Sequence, residues 1–163
     1  MVLSSVAAVA EALDRVDDSK KLSAIRREKV YEEIMKTALY VGIGRASAEE
    51  IDRINILQAT MNAMRRGAAD AKANIYLIDA VKNLGLDAPE IPLIHGDAVS
   101  YSIAAASIVA KVTRDRELKA LDELYPQYGF AKHKGYGTAE HIAAIKKYGP
   151  CPAHRMTFIG KFL

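Results

Sequence analysis

Apolar positions recur at four-residue spacing through Val30, Ile34 and Ala38, with Arg26, Arg27, Lys29, Glu32 and Glu33 on the other faces. This pattern predicts an amphipathic helix over about 24–39. Ser23 closes the polar stretch Asp17-Asp18-Ser19-Lys20-Lys21-Leu22-Ser23 and is a suitable N-cap for that helix. Tyr40 to Ala46 alternates and contains Gly42 and Gly44, which predicts a short strand. Ser47-Ala48-Glu49-Glu50 has the form of a capping box; Ile54, Leu57, Met61 and Met64 then keep helical spacing until Gly67, with the methionines read as core positions. Asn74-Ile75-Tyr76-Leu77-Ile78-Asp79 is the clearest strand, short, apolar and ended by a carboxylate. Pro92 to His95 is a second candidate, closed by Gly96-Asp97. Ile103 to Val112 carries one charge, Lys111, and predicts a helix buried on most faces. Beyond Glu117 it becomes amphipathic through Leu118, Leu121 and Leu124, and Pro126 ends it. Thr138 caps a last helix that stops before Gly149-Pro150. Val6 to Leu13 reads equally as helix or buried strand, because periodicity cannot choose over so short a stretch. Helices alternating with short strands predict an α/β fold, as a single domain over 1–163.

Composition adds exclusions. The chain has 163 residues, 50% hydrophobic and 26% charged, enough for a core without disulfides. No apolar run approaches the roughly 20 residues that span a bilayer. The net charge of +3 is compatible with a polyanionic partner without arguing for one. Cys151 is the only cysteine, which suits a reducing compartment. Met1 to Ala10 has no positive n-region and Glu11 follows too soon for a secretory apolar core, so a cytoplasmic location is expected.

Three groups of residues could carry chemistry. Asp79 and Asp97 each follow a candidate strand, and carboxylates brought together beyond strand ends make a hard oxygen site for Mg²⁺ or Mn²⁺. Each could equally start a turn. Lys132-His133-Lys134-Gly135-Tyr136-Gly137-Thr138 sets three possible cations beside an aromatic, either to meet phosphates and stack on a base or sugar, or as a solvated turn with Tyr136 tucked inward. Lys20 and Lys21 allow the same two readings, phosphate contact or solvated loop, and Arg155 could pair with a phosphate or with a carboxylate. Cys151, with His154 three residues on, is not enough for a nucleophilic pair.

Taken in order, several of these pieces resemble ribonuclease HII. They are Asp18-Ser19-Lys20-Lys21-Leu22-Ser23, Asn55-Ile56-Leu57-Gln58-Ala59-Thr60, Leu77-Ile78-Asp79-Ala80, His95-Gly96-Asp97, Ala104 to Asp115, Tyr125 to Phe130, His133-Lys134-Gly135-Tyr136 and His154-Arg155. The resemblance implies a ribonuclease H-like mixed sheet flanked by helices. It implies an endonuclease that hydrolyses the RNA strand of RNA:DNA hybrids, and DNA at single embedded ribonucleotides, with Mn²⁺ or Mg²⁺. Asp79 and Asp97 would be two of the family's four metal-binding carboxylates. Tyr136 would stack on the sugar beside the ribonucleotide, and Lys20, Lys21, Lys134 and Arg155 would contact phosphates.

Two departures qualify what the resemblance implies. His95 stands where the family usually has Lys before Gly-Asp. The chain as written also holds no Asp-Glu-x-Gly-Arg-Gly, the opening-strand motif whose two acids complete the metal site and whose backbone recognises the 2′-hydroxyl. The expectation is a chain short of that strand, through a truncated gene or a misplaced start codon. Such a chain would be inactive as written, or an inert nucleic-acid-binding remnant.

Overall fold

The computed structural model of the chain describes Val2–Leu3 and residues 23–163. The Val6 to Leu13 segment, Lys20 and Lys21 lie outside the described residues. In chain order the elements are β1 (Val2–Leu3), α1 (Ala24–Thr37), β2 (Ala38–Tyr40), α2 (Ala48–Ala68), β3 (Tyr76–Asp79), β4 (Glu90–Leu93), α3 (Gly96–Val99) and α4 (Tyr101–Leu124). After a 3₁₀ turn at Pro126–Tyr128 come α5 (Phe130–His133), α6 (Ala139–Tyr148) and α7 (Met156–Ile159), with a second 3₁₀ turn at Gly160–Phe162. Two compact units emerge, one of residues 1–45 and 61–112, the other of 46–60 and 113–163.

In the first unit β1 pairs antiparallel with β2, and β3 pairs parallel with β4. Ser23 caps α1 as expected, its hydroxyl accepting from the Arg26 amide at 3.3 Å. The core joins Ile34 of α1 to Ala104, Ala105, Ile108, Val109 and Val112 of α4, with Val30, Tyr31 and Val41 at its margin. This is the apolar stretch that predicted a largely buried helix.

The expected strand from Tyr40 to Ala46 is not formed. The ladder ends at Tyr40, and residues 41–47 carry no regular element. The cause is a backbone contact with α2 that the alternation pattern does not encode. A Cβ on Gly42 would stand 1.9 Å from the Gly67 carbonyl oxygen, and one on Gly44 1.8 Å from that of Ala63. The two glycines let this stretch lie on the helix instead of joining a sheet.

The second strand candidate also shifts, from Pro92–His95 to Glu90–Leu93. The Glu90 carboxylate accepts from the amides of Leu84 and Leu86, each at 2.9 Å, which closes the loop leading into β4. His95 ends the extended run with a left-handed backbone, φ 54°.

Helix α2 opens as predicted, with the Ser47 hydroxyl accepting from the Glu50 amide at 3.0 Å. It is broken at Asn55, whose φ of 67° and ψ of 165° are not helical. The Asn55 carboxamide oxygen accepts from the Gln58 amide at 3.1 Å and so caps the second part of the helix. The break interrupts the expected helical spacing: Leu57 is 55% exposed, and Met61 and Met64, expected in the core, are only partly buried.

The second unit packs Leu118, Tyr128, Phe130, Ile145 and Ile159 together. Thr138 caps α6, accepting from the His141 amide at 3.3 Å, and Gly149 takes up the positive φ that ends it. Among the described residues no helix is long and apolar enough to cross a membrane.

Candidate metal and nucleic-acid site

The parallel register aligns Asp79 with Leu93, so both strands of this ladder finish at the same end. The Ala80 amide donates to the Leu93 carbonyl at 2.9 Å and continues the pairing one step past β3. The left-handed turn at His95 then folds the chain back, and the Gly96 amide donates to Asp79 Oδ1 at 2.9 Å. Asp97, the next residue, lies in the first turn of α3. Asp79 and Asp97 are thereby brought to one place beyond the strand ends, where α/β sheets collect ligands.

Gly96 is buried at this junction. A Cβ there would come 2.5 Å from Ile103 Cδ1 and 3.4 Å from Asp79 Oδ1. The absent side chain lets the turn pack on α4 while its amide reaches the carboxylate. The donors present, two carboxylates with Asp79 exposed, fit a hard divalent cation that keeps part of its water shell. Among the described residues no cluster of three or more His, Cys, Asp or Glu is arranged to hold a metal ion.

In the second unit the loop after α5 carries the other candidates. Lys134 has a left-handed backbone and closes α5, its amide donating to the Phe130 carbonyl at 2.9 Å. Gly135 follows with φ 79°. Tyr136 is 71% exposed, so the reading that tucked it into the core is overturned. Its backbone is nonetheless fixed: its amide donates to the His133 carbonyl at 2.9 Å, and its carbonyl accepts from the Thr138 amide at 2.8 Å.

Arg155 lines a cavity of about 460 Å³ with Arg114, Gly135, Gly137, His141 and Lys161. Its guanidinium lies 3.9 Å from the centre of the Phe158 ring. Burial, reinforced by the neighbouring Arg114 charge and opposed by Asp52, holds its pKa below the ordinary arginine value. An arginine so placed remains a cation that can meet a phosphate.

His133 is not the loop cation that the sequence allowed. It is buried, and its Nδ1 accepts from the Gly135 amide at 3.1 Å, the arrangement of a neutral ring. Cys151 and His154 do meet, with Sγ 3.1 Å from Nδ1. That same Nδ1 accepts from the backbone amide of Cys151 at 3.0 Å, which gives the ring a structural task. Sequence reasoning passed over Arg114 and His141, and did not show that His133 and His154 are buried. The signal available for the histidines was three of the chain's four His within the last 31 residues, counted from His133 to Leu163, among aromatics and glycines.

Residues 5–161 match the ribonuclease HII family. Ribonuclease HII of Caldanaerobacter subterraneus subsp. tengcongensis is 50% identical over 153 residues, 93% of this chain and 64% of that protein. Ribonuclease HII of Lactobacillus helveticus is 55% identical over 145 residues, 88% of this chain and 58% of that protein. The chain belongs to the ribonuclease HII family.

The chain thus spans about three-fifths of the length of these two relatives. The fold is shared more widely within ribonuclease HII. A chain in the PCNA:RNase HII complex from Archaeoglobus fulgidus superposes with a TM-score of 0.78 at 24% identity, covering 98% of this chain and 83% of that one. The ribonuclease H-like architecture inferred from the motifs therefore holds, although the described strands form two short ladders.

Proposed function

We propose that residues 1–163 are catalytic-domain sequence of a cytoplasmic ribonuclease HII. The reaction would be hydrolysis of the RNA strand of RNA:DNA hybrids, and of DNA at single embedded ribonucleotides. The observation that carries the reading is the Asp79–Gly96–Asp97 turn beyond the ends of β3 and β4. Asp79 and Asp97 would hold Mn²⁺ or Mg²⁺, which supplies charge stabilisation at the scissile phosphate and lowers the cost of deprotonating the attacking water. The Gly96 amide orients the Asp79 carboxylate, while the turn at His95 brings Asp97 alongside.

In the second unit, Tyr136 presents an exposed ring for stacking on the sugar beside the ribonucleotide. Lys134 and Arg155 supply charge for the phosphates, and Lys20 and Lys21 are assigned the same task from sequence alone. A second reading is an inert nucleic-acid-binding remnant, in which the exposed Tyr136 ring and the neighbouring cations bind a duplex without cleaving it.

The test is to incubate the purified 163-residue chain with Mn²⁺ and a duplex containing one ribonucleotide. Salt-dependent binding with cleavage at the ribonucleotide, abolished by Asp79→Asn, is the result that supports the enzyme reading. Salt-dependent binding without cleavage would refute it and support the remnant. Loss of both binding and cleavage would refute both readings.

A further inference from the structure

His133, His141 and His154 lie buried in the second unit, at 7%, 4% and 6% exposure. The rings of His133 and His141 stack with centres 4.1 Å apart, and those of His141 and His154 with centres 5.2 Å apart. Every ring nitrogen is engaged, and the fixed backbone partners determine where each proton sits.

His154 Nδ1 accepts from the Cys151 amide, so its proton is on Nε2, which donates to His141 Nε2 at 3.0 Å. His141 must then carry its proton on Nδ1, which donates to the Tyr136 carbonyl at 2.9 Å. His133 accepts from the Gly135 amide at Nδ1 and donates from Nε2 to the Tyr128 carbonyl at 2.6 Å. Only three neutral rings in these tautomers satisfy the set. The chain of bonds ends on the backbone of Tyr136, whose side chain is the most exposed aromatic in the unit.

We propose that His154 and His141 form a relay, with His133 stacked against it, that positions Tyr136 for the duplex. His141 holds the Tyr136 carbonyl, while His133 holds its amide through the backbone and pins Gly135 through Nδ1. The three are positioning residues: they touch no substrate and act through the tyrosine. This inference rests on the proposed role of Tyr136 in binding.

The relay is also sensitive to acid. A second proton on any ring would land on a nitrogen that already faces a donor. Burial lowers the pKa of His141 and His154, and for His154 the neighbouring His141 adds to this. The other groups around the rings are the Cys151 thiol, Tyr128, the Lys132–Glu140 ion pair, and Arg114, Arg155 and Lys161 of the cavity. Glu140 is held below the ordinary carboxylate value by its hydrogen bond and ion pair with Lys132.

The chain contains no tryptophan, so Tyr136→Trp installs a single fluorescent reporter. In that background His141→Phe, which keeps the ring and removes the donor, should lower the anisotropy of the reporter, and His141→Asn, whose amide can donate to the same carbonyl, should restore it. Unchanged anisotropy in His141→Phe overturns the proposal. Should His141→Phe not fold, two measurements on chains with all histidines intact decide. Imidazole ¹⁵N shifts should show an Nδ1-protonated His141 and Nε2-protonated His133 and His154 at neutral pH. Anisotropy of the reporter should fall as pH drops through the folded values of His141 and His154, which lie below the ordinary 6.5, ahead of global unfolding. Other tautomers, or a flat profile until the protein unfolds, overturn it.

Binding separates this proposal from the reading beneath it. Tyr136→Ala should weaken binding of the ribonucleotide-containing duplex on the order of tenfold, and His141→Phe should do the same in the Tyr136 background. Unchanged binding in Tyr136→Ala refutes the role of the tyrosine, while the anisotropy results still decide whether the histidines position it.

Discussion

Gly44 shows how much one missing methyl group decides. Its backbone approaches the Ala63 carbonyl so closely that a Cβ would sit 1.8 Å from the oxygen, and that oxygen belongs to a helix backbone that cannot swing aside. Gly44→Ala is therefore expected to cost at least about 1–3 kcal/mol through overpacking, read as a lower midpoint in urea unfolding. A stability equal to the original would show that residues 41–47 do not lie on α2 as described. The sequence displayed both glycines, but a Gly-x-Gly spacing does not reveal which surface they approach. The carboxylates were more legible. Asp79 and Asp97 could be singled out because each followed an apolar run, and the bond from the Gly96 amide to Asp79 needed only the intervening turn.

At the scale of elements, local chemistry was readable and packing was not. Ser23, Ser47 and Thr138 all cap the helices they preceded in sequence, because a cap depends on three or four adjacent residues. The break at Asn55 depends on backbone geometry that no apolar spacing reports, and beyond it Leu57 is exposed. Asp52 was equally hidden, since its partners lie more than a hundred residues away. Its carboxylate accepts from the Met156 amide at 2.6 Å and from the amide and hydroxyl of Thr157, closing the start of α7. The Thr157 hydroxyl, helped by these amides, holds the Asp52 carboxyl below the ordinary carboxylate pKa. Its contribution is present above the ordinary value of 3.8 and is lost as pH falls through the lower folded value. Asp52→Ala should lower the melting temperature at neutral pH, and the gap from the original should narrow in acid. A gap that stays constant with pH would refute the charged cap.

For the molecule as a whole, acid sensitivity should come from its buried histidines as well as its carboxylates. The folded pKa values of His141 and His154 lie below 6.5, so the unfolded chain takes up protons first as pH falls. Stability should be level above 6.5 with respect to these groups and should decline as pH drops from there toward the folded values. Thermal melts of the original chain and of His141→Asn across that range check this. A decline of equal steepness in both would place its source elsewhere. The fold class was legible because helices and short strands alternate, and family membership because motifs are spread from Asp18 to Arg155. What the pattern could not reveal was the division into two compact units or the burial of three histidines, both products of distant contacts.

The assigned chemistry depends on the proposed cation site of Asp79 and Asp97 at the turn after β4. Electron paramagnetic resonance of free Mn²⁺ during titration tests it directly. Weak, saturable binding is expected in the original chain, lost in both Asp79→Asn and Asp97→Asn while each variant still melts cooperatively. Binding that persists unchanged in the two folded variants would contradict the account.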